Sequence, residues 1–225
     1  MGHISSEGIL NILNKKLSLK DEVEFYNHWR NCNICLKRIS SYMDKMLEKG
    51  LYQSGRKAKV FLHCLDVDAL NIKIYIYYSV DFILAISINS SCSFYKSAVD
   101  VGKEMFITCH GDFLDQLKSY FNRGTPIRYS KFYLYFENSV LARKILYFVF
   151  LIPHSMTSSY HEVSCMVGLE NGARFVGRVM SRNRLPILIP CHRVIRKDGA
   201  LGGYSAGVQI KEKLLELEKR HLERE

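Results

Sequence analysis

The sequence has no apolar run close to the roughly 20 residues that a membrane-spanning helix needs. Its longest, Ile145 to Pro153, follows Arg143 and Lys144 and ends at a proline. An export leader is also missing, because Met1 to Glu7 is short, polar and acidic where a secretory signal is basic and then apolar. Seven cysteines, an odd and scattered set, do not make a paired disulfide framework and suit a reducing compartment. There is no internal repeat and no low-complexity tract. These absences exclude fibrous, solenoid and membrane-embedded classes. They point to a soluble intracellular protein, cytoplasmic, or nuclear if the source is eukaryotic.

What is present is enough for one or two compact domains, since 48% of the 225 residues are hydrophobic and 24% are charged. The net charge of +10 comes from 32 Lys and Arg against 22 Asp and Glu, a balance that attracts polyanions. Its distribution matters more than its size. From Asn171 to Lys197 there is no acidic residue, while Arg174, Arg178, Arg182, Arg184, Arg193, Arg196 and Lys197 are all basic. A solvated face is the ordinary reading of such a run, but six of these seven are Arg, the side chain suited to planar, bidentate phosphate contacts.

Periodicity predicts helices over Gly8 to Leu17, Asp21 to Trp29 and Cys35 to Leu51, the last with Ile39, Tyr42, Met43, Met46 and Leu47 on one face. Short β-branched and aromatic runs follow at Val60 to Val67, Ile72 to Tyr78 and Phe82 to Ile88 and read as a small antiparallel sheet. Gly111 to Phe121 is an amphipathic helix, and Phe132 to Phe136 returns as a strand. The remainder is helical: Val140 to Leu151, His161 to Val167, Asn171 to Arg182, and Val208 to Leu222. Two short helices joined at Gly168, the second one basic, have the layout of a helix-turn-helix. Pro186 and Pro190 bracket Ile187 to Ile189 as a buried extended segment.

A cysteine nucleophile needs a nearby base and an electropositive setting, and Cys191 has His192 beside it in the Arg-rich stretch. Adjacent side chains on an extended strand face opposite ways, so the pair requires a bend or a bridging water. Glu212 is the expected third member, because its spacing from Val208 and Leu215 permits it to face inward.

The run LPILIPCHRVI from Leu185 to Ile195, followed by Gly199 to Gly207 and Lys211-Glu212, resembles the active-site region of the O6-alkylguanine-DNA alkyltransferases. The resemblance continues upstream through Ala173 to Gly177 and Asn183 to Ser159-Tyr160 and Ile152-Pro153, and more faintly to Leu117 through Gly124. It covers about the last half of the chain. Residues 58 to 136 match only in layout, and residues 1 to 57 have no counterpart. The resemblance implies an α+β fold: an N-terminal small antiparallel sheet with helices in a ribonuclease H-like layout, then a mostly helical C-terminal domain with a helix-turn-helix. The boundaries expected are a helical extension at 1–57, an α+β domain at 58–136, and a DNA-binding and active-site domain at 137–225.

The resemblance also implies roles. Cys191 accepts the alkyl group from guanine O6, His192 takes the thiol proton through a water, and Glu212 orients His192. Tyr160 donates to guanine N3 and helps rotate the nucleotide out of the duplex, and Arg174 fills the vacated space. Ser205 offers its amide near O6, the carbonyls of Cys191 and Val194 accept from the guanine amino group, and Asn183 ties the helix-turn-helix to the active-site loop. Ala173, Gly177, Arg193 and Tyr204 complete the DNA- and substrate-binding set. The implied partner is double-stranded DNA bound through the minor groove by a monomer, and no cofactor is required. Phe175 and Arg178 depart from the family's small residues on the DNA-facing helix, and His154-Ser155 departs from a turn that commonly contains Gly.

Two further readings stay open. One is a lesion-binding helix-turn-helix protein without transfer activity; the other, a Cys-His hydrolase, leaves the Arg cluster unexplained. Separately, Cys32 and Cys35 form a lone C-x-x-C, which with His28, or with His63 and Cys64, makes a weak candidate for structural zinc like that of some family members.

Overall fold

The computed structural model describes residues 3–50, 60–89, 99–100, 102–130, 132, 134 and 139–222, with 46–50, 99–100, 102–109 and 222 described by backbone alone. Three helices lead: α1 (Ser6–Leu13), α2 (Leu19–Trp29) and α3 (Asn33–Gly50). Ser5 and Ser18 cap α1 and α2 by accepting from the amides of Gly8 and Asp21, which satisfies N–H groups that a helix start leaves unpaired. α1 stops four residues short of the expected Leu17, where Lys15 turns to φ 54°.

The strands β1 (Phe61–Val67), β2 (Ile72–Tyr78) and β3 (Ile83–Ile88) form an antiparallel meander in the expected places. β1 and β2 pair from Phe61 opposite Tyr78 to Val67 opposite Ile72. Their connection closes on Asn71 at φ 52°, a left-handed position that Asn tolerates. β4 (Val99–Asp100) adds to the other edge of β1 in parallel, giving the order β3-β2-β1-β4, so the sheet is mixed rather than wholly antiparallel. α4 (Gly102–Arg123) begins nine residues before the expected Gly111, with a kink at His110, whose φ of −141° lies outside the helical range. Of the expected strand at 132–136, Phe132 makes one bridge to Ile83; Tyr133, Tyr135 and Phe136 lie outside the described residues, as do Cys92 and the Cys109 side chain.

The C-terminal part consists of α5 (Val140–Phe150), β5 (Ser158–Ser159), α6 (Tyr160–Met166), α7 (Ala173–Ser181), β6 (Val194–Ile195) and α8 (Val208–Leu222). α5 is buried around most of its circumference, with Ala142, Ile145, Leu146, Phe148, Val149 and Phe150 inside. Each such large side chain contributes about 1.5–3 kcal/mol by leaving water. The core is continuous from the leading helices through the sheet to α8. Trp29 of α2 packs at 5.6 Å from Phe148, and Phe132 at 4.9 Å from Phe150. Polar links reinforce it: Lys144 Nζ lies 3.0 Å from Asp44, Arg30 pairs with Glu162, and the Ile86 amide donates to the Arg184 carbonyl. Among the described residues no helix is long and apolar enough to cross a membrane.

Candidate active site

The segment leading to Cys191 is buried as expected but is not extended. Pro186 to Leu188 forms a turn with Ile187 at φ 73°, a conformation that costs a β-branched residue about 1–3 kcal/mol and survives only where the surroundings enforce it. Asn183 enforces it here: its Nδ2 donates to the Ile189 carbonyl at 2.9 Å, and its Oδ1 accepts from the Leu185 amide at 3.0 Å. A single 3-10 turn, Cys191–Arg193, follows Pro190 and supplies the bend that an extended strand lacks. Cys191, His192 and Arg193 all turn inward, with Cys191 only 5% exposed.

The carboxylate facing His192 is Glu218, and Glu212 is corrected accordingly. The His192 Nε2–H donates to Glu218 Oε1 at 2.8 Å, whereas Glu212 is exposed on the outer face of α8. Lys211, Leu214 and Glu218, spaced three and four residues apart, form the buried stripe of this helix, and Glu212 lies off it. That periodicity is visible in the sequence, and it selects Glu218 once Leu214 is taken as core.

Arg193 is the second correction, because it is buried rather than on a DNA-binding surface. Its Nε and Nη2 each donate to Glu218 at 2.9 Å, a bidentate pair, and Nη1 donates to the Ile152 carbonyl at 2.7 Å. The Tyr120 hydroxyl donates to Glu218 at 2.9 Å and the Ser155 amide at 3.1 Å. Glu218 thereby joins α4, the turn after α5, the Cys191 turn and α8.

These contacts set the protonation states. Burial opposes ionisation of Glu218, but Arg193 and His192 outweigh it and hold the carboxyl well below the usual carboxylate range. Burial lowers the His192 ring below the ordinary histidine value despite the pull of Glu218, so the imidazole is neutral. With its proton on Nε2 toward an acceptor-only carboxylate, Nδ1 keeps a bare lone pair, and among the described residues Nδ1 has no partner. Burial pushes the Cys191 thiol up, against the opposing influence of Asn183, Lys211 and nearby backbone N–H groups. The resting sulfur is therefore a thiol and the adjacent imidazole is neutral.

Tyr160 opens α6, which Ser159 caps reciprocally with Glu162. Its half-buried ring lies against Gly202, where an added Cβ would sit 3.2 Å from ring and hydroxyl atoms; Gly202 also has φ +70°. Lys211 Nζ lies 5.9 Å from the ring centroid and donates to the carbonyls of Val194 at 2.6 Å and Leu201 at 2.5 Å. Burial lowers its ammonium to about 8. Of the carbonyls expected to meet a guanine amino group, that of Val194 accepts from Lys211 and that of Cys191 accepts from the Val194 amide. Ser205 is exposed, while the Tyr204 hydroxyl is buried without a partner among the described residues.

Residues 141–220 match the family model for the 6-O-methylguanine DNA methyltransferase DNA-binding domain. The likeness is confined to this region. Over 81 residues the chain is 46% identical to a methylated-DNA–protein-cysteine methyltransferase of Methanothermobacter thermautotrophicus, covering 36% of this chain and 45% of the relative. A Mus musculus protein of the same name is 43% identical over 82 residues, 36% of this chain and 39% of the relative. The chain thus spans less than half the length of the curated relatives it matches. In three dimensions it is similar to the crystal structure of Mycobacterium tuberculosis O6-methylguanine methyltransferase, with TM-score 0.63 and 24% identity over 72% of this chain and 94% of that one, and this likeness concerns the fold. The same protein is also solved in complex with DNA.

Within the methyltransferase-like region, α7 buries Val176, Val179 and Met180 and exposes Arg174, Arg178 and Arg182 at four-residue spacing. Ala173 and Gly177 are half-buried, and a Cβ at Gly177 would come 4.0 Å from the Tyr160 ring. The two departures on this helix act together, since the Arg178 guanidinium sits 5.6 Å from the Phe175 ring centroid, within cation–π range. Ser155 has φ 63°, which explains why a glycine suits this turn; here its hydroxyl donates to the Glu218 carbonyl at 2.7 Å. Away from this site, the structure brings Cys32 and Cys35 together with His28 and with His3, which the sequence did not suggest. His63 and Cys64 lie on β1, outside that cluster.

Proposed function

We propose that this protein repairs duplex DNA by moving the alkyl group of O6-alkylguanine, and by extension O4-alkylthymine, onto Cys191, once per molecule. The observation that carries the reading is the buried Cys191 beside a neutral His192 whose Nε2 is committed to Glu218 and whose Nδ1 is bare. A water between Nδ1 and the thiol relays the proton to His192 as the sulfur attacks. The S–C bond forms as the bond from O6 to the alkyl carbon breaks. The departing guanine takes up a proton, initially at N3 from Tyr160, and the thiol proton stored on His192 restores the balance. The thioether has no leaving tendency, so the protein is consumed.

A base stacked in a duplex cannot reach a sulfur that is 5% exposed, so the nucleotide must leave the stack, at a few kcal/mol and less for a poorly paired lesion. In this reading α6 and α7 act as a helix-turn-helix with α7 in the minor groove, Arg174 filling the gap and Arg178 and Arg182 on phosphates. In this reading residues 58–136, whose sheet has the order β3-β2-β1-β4, make a ribonuclease H-like unit that supports the domain at 137–225, and the protein works as a monomer.

The test is intact-protein mass after incubation with a duplex carrying one O6-methylguanine, followed by peptide mapping. One methyl group per protein on Cys191 supports transfer. Lesion binding with no mass change refutes it in favour of a binding protein without transfer.

A further inference from the structure

We infer that His3, His28, Cys32 and Cys35 form a tetrahedral site for a zinc-class divalent cation that fastens the N-terminal arm to the α2–α3 corner. The four ligating atoms, one from each side chain, all lie within 4.8 Å of one another. His28 Nε2 is 3.3 Å from Cys35 Sγ, and His3 Nδ1 is 3.6 Å from Cys32 Sγ and 3.7 Å from Cys35 Sγ. Zn–S bonds near 2.3 Å and Zn–N bonds near 2.05 Å at tetrahedral angles place sulfur and nitrogen about 3.6 Å apart. The spacing is therefore that of ligands around one ion. Two thiols and two imidazoles without a carboxylate select zinc, or a metal of like softness, over magnesium or calcium.

The chain supplies the ligands from three places by local geometry. His28 is in the last turn of α2, Cys32 precedes α3 with its carbonyl accepting from the Leu36 amide, and Cys35 is in the first turn of α3. His3 arrives on an arm that is held independently: the Ile4 amide points to Cys35 Sγ at 3.4 Å, and Arg38 Nη1 donates to the Ile4 carbonyl at 2.6 Å. An N–H donated to sulfur is the outer-shell support that metal thiolates use. His3 is exposed and Cys35 buried, so the site has both an entry side and an anchored side. All four ligands precede residue 36, outside the region 141–220 and apart from the sheet. The corner also presents Arg30 to Glu162 in the cap of α6, so a metal here would stiffen a support of the helix that begins with Tyr160.

The test uses the full chain, purified with reductant, stripped with a chelator and titrated with Co²⁺. One Co²⁺ per chain with a thiolate-to-cobalt charge-transfer band and tetrahedral ligand-field bands, displaced by Zn²⁺, is expected. His3→Ala should weaken affinity at least tenfold while leaving the circular dichroism of the metal-free protein unchanged, and Cys35→Ser should lower the charge-transfer band by about half, its remainder coming from Cys32. Cys191→Ser and Cys165→Ser should keep it. The inference is overturned if the native chain gives no charge-transfer band, or if that band survives undiminished in a Cys32→Ser, Cys35→Ser double variant. None of these readouts depends on alkyl transfer.

Discussion

Replacing Glu218 by Gln separates the carboxylate in the structure from the Glu212 that the sequence spacing favours. Glu218 is fully buried and accepts from His192, from two nitrogens of Arg193, from Tyr120 and from the Ser155 amide. The amide keeps the shape but leaves Arg193 as a buried cation without its counter-charge, and breaking such a pair costs about 3–5 kcal/mol. For a chain of this size, about 3 kcal/mol lowers Tm by roughly 6–12 °C. The chemical effect is separate. Without the carboxylate nothing confines the imidazole proton to Nε2, Nδ1 spends time as a donor, and general-base assistance worth about 10²–10⁴ in rate is lost. The assay is single-turnover transfer from an O6-methylguanine duplex, followed by intact mass at a temperature where circular dichroism shows both proteins folded. Glu212→Gln, an exposed change, should alter stability by less than about 0.5 kcal/mol and leave the rate unchanged. A folded Glu218→Gln protein that transfers at the native rate, or a Glu212→Gln protein that does not transfer, refutes the reasoning.

Acid should destabilise the protein from about pH 6.5 downward. Burial keeps His154 neutral in the fold down to about 3 and also depresses His192, while in the unfolded chain such groups gain protons near 6.5. The unfolded state then binds more protons, so stability is full above 6.5 and falls as pH drops; Glu218, depressed in the fold, adds to the loss below about 4.5. A Tm that stays level from neutral to about pH 5 contradicts this. Gly202→Ala places a side chain at φ +70° and 3.2 Å from the Tyr160 ring, costing about 1–2 kcal/mol. Transfer should slow while affinity for undamaged duplex is kept, and equal loss of both would count against a local effect. Arg178→Ala should leave Tm unchanged and lower the slope of log affinity against log salt by about 1, measured by fluorescence anisotropy. An unchanged slope removes Arg178 from the phosphate contacts.

The residues 171–197 show how much local chemistry the sequence carries by itself. Period-3.6 patterning placed α5, α6, α7 and α8 within about two residues at each end, and alternating β-branched and aromatic runs placed β1 to β3. The motif around Cys191 identified the nucleophile candidate and its neighbour His192, because those depend on adjacency in the chain. Adjacency does not say how the chain bends. The turn at Pro186 to Leu188, the 3-10 step at Cys191 and the parallel pairing of β4 arise from contacts between distant segments, which no local window contains.

The same limit explains both misassigned charges. Glu212 and Glu218 sit on one helix, and an exposed carboxylate and a buried one look alike until the partners of that helix are known. Glu218 is chosen by Arg193, His192, Tyr120 and Ser155, which converge from three parts of the chain. Arg193 lies in a stretch whose other arginines suit phosphates, and only its inward turn commits it to Glu218. His3 joins Cys32 and Cys35 from 29 and 32 residues away, across the arm that Arg38 holds in place. Most of the helices, the strands β1 to β3 and the candidate nucleophile Cys191 are legible in the sequence, since propensity, patterning and a short motif are local. The tertiary structure alone decided which charges are buried together, because that depends on which surfaces are removed from water at once.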